Sequence, residues 1–228
     1  MSSGRDMNGA SAAVRINLRP LGNPLPLGLY SFGVGMLLLA AQSAGWVPPK
    51  ETSQVGLVLA TFVFPLEGVA AITAFWARDT LAGTVLGLFT TSWLALGLLF
   101  ITAQPGATSV TLAFYLLGFA AVVSSLAVIA LAGKPLIALV LTLSATRALL
   151  AGIYEASSAT ALDRAAGYVA AAIAVVAWYA GTAFLLEDVR QEPLLPVLRR
   201  GAAKSAVAGE LSDQLHRADG EAGVRQQL

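Results

Sequence analysis

Six apolar runs, at about residues 25 to 45, 54 to 76, 81 to 103, 108 to 132, 135 to 154 and 165 to 186, alternate with short polar stretches such as "ARDT" and "AGKP". Each is close to the roughly 20 residues that cross a hydrocarbon core of about 30 Å. Lipid offers the backbone no hydrogen-bond partner, so such spans must be helices. They are rich in Leu, Ala and Val and lack the polar alternation of a barrel strand. The pattern predicts an all-α integral membrane protein, a bundle of six transmembrane helices spanning residues 23–200. Polar tails are predicted at 1–22 and 201–228. The short connections lead us to expect sequential helices to be antiparallel neighbours.

Composition agrees with a bilayer as the solvent: the chain is 57% hydrophobic and 12% charged, against about a quarter charged in soluble domains. The charges set the orientation. With the N-terminus inside, cytoplasmic segments hold eleven of the fourteen basic residues, Lys50 and Arg164 lie outside, and Arg147 lies within the fifth span. Both termini are therefore predicted to be cytoplasmic, in a multi-pass protein of the inner (plasma) membrane. The first run is long for the core of a signal peptide and is read as a span. In the C-terminal tail, Val207, Leu211 and Leu215 have the spacing of a weak amphipathic helix. A solvated tail fits that composition better.

Little conventional catalytic equipment is present. Cysteine is absent, the single histidine, His216, lies in the C-terminal tail, and Lys50, Lys134 and Lys204 fall outside the spans. A Ser–His pair, a buried Schiff-base lysine and a histidine metal site are thus excluded from the spans. No enzyme activity, cofactor, metal or nucleic-acid partner is expected.

Two ionisable side chains remain deep in the spans: Glu67, in "FVFPLEGVAAI", and Arg147, in "LSATRALLAGIYE". A charge at the bilayer centre costs about 2.5 to 3.5 kcal/mol on insertion scales, so neither should face lipid. One reading is a structural ion pair between two helices. The other has Arg147 offering a cation to an anionic substrate while Glu67 takes up and releases a proton. Tyr154 shares the helical face of Arg147 near the outer mouth, and Pro65 is placed to kink the second span beside Glu67. The remaining span aromatics, Trp93 among them, read as packing or interfacial-belt residues. Gly83 and Gly87 form a small-xxx-small spacing that suits helix packing within the bundle or between protomers.

The first span opens with "GNPLPLGLYSFG", in which Pro24 and Pro26 occupy a helix's first turn, where a missing N–H is harmless. "NPLPLGL" (23–29) resembles the signature that opens the first helix of the acetate uptake transporter family, the acetate and succinate permeases. "SAGW" (43–46), "DTLAGTVLGLFTTSW" (79–93), "GYVAAAIAVVAWYAG" (167–181) and "LLPV" (194–197) continue the likeness. The resemblance implies uptake of small monocarboxylates, chiefly acetate and also succinate, with protons as the coupling partner or through a channel-like pore. It implies a homo-oligomer, a hexameric ring, and it places the Asn-Pro signature at the cytoplasmic mouth. There Asn23 would present its amide to a carboxylate and the prolines would hold the mouth rigid. Asn23, Pro24, Leu27, Tyr30, Glu67, Arg147 and Tyr154 are the residues expected to line the path. The chain departs from the family pattern at Glu67 and Arg147, and at Ala77, where the family carries Glu after Trp76. Two alternatives stay open: a passive channel for neutral solutes such as urea or undissociated acid, and a non-transporting membrane sensor or scaffold.

Overall fold

A computed structural model describes residues 21–104, 106–190, 192 and 194–201. Most of both predicted tails, with His216 and the Val207, Leu211 and Leu215 spacing, lies outside the described residues. Among the described residues, six helices are long and apolar enough to cross a membrane: α1 (Leu25–Ser43), α2 (Pro49–Trp76), α3 (Thr80–Thr102), α4 (Val110–Leu131), α5 (Pro135–Ser157) and α6 (Thr160–Arg190). They are the predicted spans, with shifted ends.

The helix starts follow from the sequence. Asn23 Oδ1 accepts the Leu25 N–H at 3.1 Å, Asp79 Oδ1 accepts that of Ala82 at 3.1 Å, and Ser109 Oγ accepts that of Leu112 at 3.3 Å. Each satisfies a donor that the first turn leaves without a partner. Pro135 opens α5 at its first position, which its fixed φ suits.

Neighbours in the bundle are not simply neighbours in sequence. Although α2 packs on α3 and α4 on α5, α1 packs chiefly on α6, and the sequential pair α3 and α4 touch little. Small residues line the α1–α6 contact: Gly167 lies against the Ser43 and Ala44 backbone, Gly181 against Leu29 and Tyr30, and Gly33 against the Trp178 indole. Without a hydrophobic drive between helices in lipid, close approach and dispersion hold them. The large apolar residues Phe114, Val128 and Val175 are exposed around the outside instead. Gly83 packs on the Phe75 ring of its own protomer, while Gly87 faces open space.

Two local features depart from a plain alternation of α-helix and loop. Leu59–Val63 forms a π-helical turn within α2. Pro65 supplies no N–H to the carbonyl four residues back, and its ring crowds that carbonyl, so the turn widens there. The predicted outer loop "EASSATALDR" is also mostly helical: α5 continues to Ser157, Ser158 turns the chain at φ 57°, and α6 begins at Thr160.

After α6 the chain folds back toward the turn between α4 and α5. Val197 is buried, Arg199 pairs with Glu187 at 2.5 Å and lies over the Phe184 ring, and the Arg200 N–H donates to the Gly133 carbonyl at 3.0 Å.

Candidate functional site

The widened turn of α2 is followed directly by Phe64–Trp76, whose buried residues include Glu67, Ala70 and Ala71. Glu67 is 1% exposed, roughly 14 Å from the C-terminal end of its helix at about 1.5 Å per residue. Its Oε2 accepts a hydrogen bond from the indole N–H of Trp93 on α3. Its Oε1 has no hydrogen-bond partner among the described residues. Glu67 lines a cavity of about 40 Å³, walled by apolar side chains including Leu29, Phe32 and Leu141 and by Lys134. Lys134 is itself paired with Asp79 at the start of α3.

Trp93 needs room to reach Glu67, and Gly35 provides it. A Cβ at residue 35 would lie 2.9 Å from the indole ring, closer than packed carbons tolerate. Gly35→Ala is expected to lower stability by about 1–3 kcal/mol, as overpacking of a close-packed core does. Thermal unfolding in detergent, followed by tryptophan fluorescence, measures it.

Beside Glu67 lies a group of packed aromatic rings. The rings of Phe32 and Phe89 meet edge to face at 4.9 Å, Phe32 and Trp93 at 5.8 Å, and Phe89 and Phe119 at 5.0 Å. These are favourable aromatic geometries. A gap of about 10 Å³ lined by Phe89, Trp93, Phe119, Ser144 and Arg147 lies on the other side of this group.

Arg147 also lines the outer vestibule, a cavity of about 140 Å³ whose polar residues include Gln42, Thr52, Gln104, Tyr154, Glu155 and Asp163. Arg147 is 7% exposed, and its Nε has no hydrogen-bond partner among the described residues. Asp163 lies within electrostatic range of the guanidinium. Glu155 Oε2 accepts the Ser109 N–H at 2.7 Å, which fixes the end of α5 to the start of α4. The cavity at Glu67 and the small gap share Phe89 as a lining residue, and the small gap and the vestibule share Leu96, Leu116 and Arg147.

The profile of the GPR1/FUN34/yaaH family matches residues 7–192. The chain belongs to this family. Membership agrees with the acetate uptake transporter motifs in the sequence. The solved structure of the bacterial acetate channel SatP shares the fold, with a TM-score of 0.70 and 21% identity, over 78% of this chain and 99% of that one. No curated protein matches the chain. A family member with six apolar helices of spanning length is a multi-pass membrane protein.

Set in the family's fold, the residues predicted to line a path fall into two groups. Glu67, Arg147 and Tyr154 line the cavities described above. The α1 residues do not. Asn23 is half-buried and caps its helix, Pro24 precedes the first turn, and the Tyr30 hydroxyl is bonded to Thr182 Oγ1 at 2.9 Å. Leu27 is 39% exposed on the protein's exterior. Glu67 and Arg147 form no ion pair with each other and line separate cavities, so the alternative of a structural pair is replaced by two independent buried groups. Trp93 is 1% exposed and packed in the core, as a packing residue is expected to be, and its indole N–H in addition serves Glu67. Sequence reasoning missed Glu155 and Asp163 altogether. The signal available was the two-turn spacing of Glu155 from Arg147, which places both on one face once the helix is known to continue.

Proposed function

We propose that the protein carries small monocarboxylates, acetate foremost, across the inner (plasma) membrane, with protons as the coupling ion. The observation that carries this reading is the position of Arg147: a buried guanidinium with an unused N–H, lining a polar vestibule on the axis that leads to Glu67. A guanidinium is suited to a carboxylate because its N–H groups match the two oxygens. In this reading Arg147 receives the carboxylate, Tyr154 borders it, the aromatic group formed by Phe32, Phe89 and Phe119 excludes hydrated ions, and Glu67 carries the proton. Asn23 presents its amide at the cytoplasmic mouth, held by its Leu25 contact and by Pro24 and Pro26. Assembly as a homo-oligomer, a hexamer by family resemblance, belongs to the same proposal. SatP, as an acetate channel with this fold, supports the substrate class.

The test is radiolabelled acetate uptake into proteoliposomes with and without an inward proton gradient. Accumulation above equilibrium only with the gradient is the expected result. Equilibration without accumulation would replace coupling by passive conduction. Absence of acetate flux in folded protein would remove the substrate.

A further inference from the structure

We propose that Lys134 is a carboxylate-binding residue of the cavity at Glu67, and that Asp79 occupies it between turnovers as an internal carboxylate which the substrate displaces. This rests on the carboxylate-transport reading and names the residue that receives the substrate beside Glu67.

The cavity has two polar features on an otherwise apolar wall. One is Glu67, whose Oε1 is buried and has no hydrogen-bond partner among the described residues, because the Trp93 indole takes Oε2. A buried polar atom in that state, on a residue that lines a cavity, points to a ligand. The other is Lys134, the one cation among the described residues of the lining. When Glu67 carries its proton, as the transport reading has it do, a carboxylate in the cavity meets Lys134 as the charged group of the wall.

Asp79 holds Lys134 in this structure. Its carboxylate pairs with the Lys134 ammonium, yet Asp79 does not line the cavity. The ammonium therefore stands between an internal carboxylate outside the lining and the cavity itself. The pair is built to be displaced. Its side chains are 24% and 30% exposed, and ion pairs with that access to water are weak. Lysine carries a compact charge on a flexible stem, while its backbone is held: the Lys134 N–H donates to the Ala130 carbonyl at 2.7 Å, and the Arg200 N–H donates to the Gly133 carbonyl at 3.0 Å. Asp79, once released, keeps a place for its charge. Its Oδ1 accepts the Ala82 N–H at the start of α3, where a helix N-terminus favours an anion. The charge on Lys134 stays balanced, because one carboxylate takes the place of another. The exchange requires only a carboxylate, so it serves acetate and longer acids alike.

The experiment measures the half-saturation concentration of acetate in equilibrium exchange, with the full-length protein in proteoliposomes and equal acetate on both sides, so that neither a gradient nor the protein's orientation enters. Asp79→Asn keeps the acceptor for Ala82 and removes the competing charge, and is expected to lower the half-saturation concentration about threefold, the size of a partly exposed ion pair. Lys134→Gln removes the receiving cation and is expected to raise it by about threefold or more. The opposite signs separate this role from a structural one, in which breaking the pair from either side impairs exchange alike. In the Lys134→Gln background, Asp79→Asn is expected to have no further effect. Should one variant not fold, the other decides by its own sign. A half-saturation concentration unchanged or raised in Asp79→Asn, or unchanged or lowered in Lys134→Gln, overturns the proposal while leaving the transport reading intact. If folded wild type exchanges no acetate, the transport reading fails and this proposal fails with it.

Discussion

Replacing Arg147 by Gln is expected to lower acetate uptake about ten- to hundredfold, because a hydrogen bond to a charged partner contributes about 1.5–3 kcal/mol and each 1.4 kcal/mol is about a factor of ten. The loss should appear in proteoliposome flux and be partly restored by Arg147→Lys, which keeps the charge but not the fork of donors. Stability separates this role from a structural one. Breaking a buried ion pair by removing one partner costs about 3–5 kcal/mol, but Arg147 forms no such pair among the described residues. Thermal unfolding of Arg147→Gln in detergent should therefore show no loss of that size. A variant that transports normally, or one that fails to fold, would contradict the role given to Arg147.

Glu67→Gln is expected to abolish gradient-driven accumulation while acetate still equilibrates. The amide keeps an oxygen able to accept from the Trp93 indole, so the packing around residue 67 is retained and only the proton site is lost. The readout is the steady-state internal acetate under an inward proton gradient, which should fall to the external concentration. Trp93→Phe provides the complementary measurement. It removes the donor to a carboxylate that is 1% exposed, and leaving a buried polar group unsatisfied costs about 1–3 kcal/mol or more. The cost of Trp93→Phe should shrink in the Glu67→Gln background, since a neutral amide needs the indole less than a carboxylate does; that difference is the coupling a double-mutant cycle reports. Accumulation that persists in Glu67→Gln would move the proton elsewhere in the protein.

The site was legible in the sequence one helix at a time. Glu67 and Arg147 stand out because charges inside apolar runs are costly in lipid, and Tyr154 follows from helical spacing along α5. What could not be read was company. A helix period tells which residues share a face of one helix, but the helix opposite that face depends on the arrangement of the bundle. Here α1 lies chiefly against α6, and Glu67 meets Trp93 rather than Arg147. Glu155 and Asp163 were hidden for a second reason. Hydropathy stops where the hydrocarbon stops, whereas α5 and α6 run on to Ser157 and begin again at Thr160, so helical residues beside the vestibule had the composition of a loop.

By itself the sequence determined that there are six spans, which end of the bundle carries the basic residues, which family the motifs resemble, and which two ionisable groups are buried. Each of these rests on local composition or on a periodicity within one segment. Only the tertiary structure decided that those two groups stand in separate cavities with a group of aromatic rings between them, that Gly35 makes room for the indole that holds Glu67, and that Glu155 and Asp163 line the same vestibule as Arg147. The physical reason is that packing between helices in lipid is settled by close complementary contact of small residues, a property of pairs of surfaces that no single segment contains.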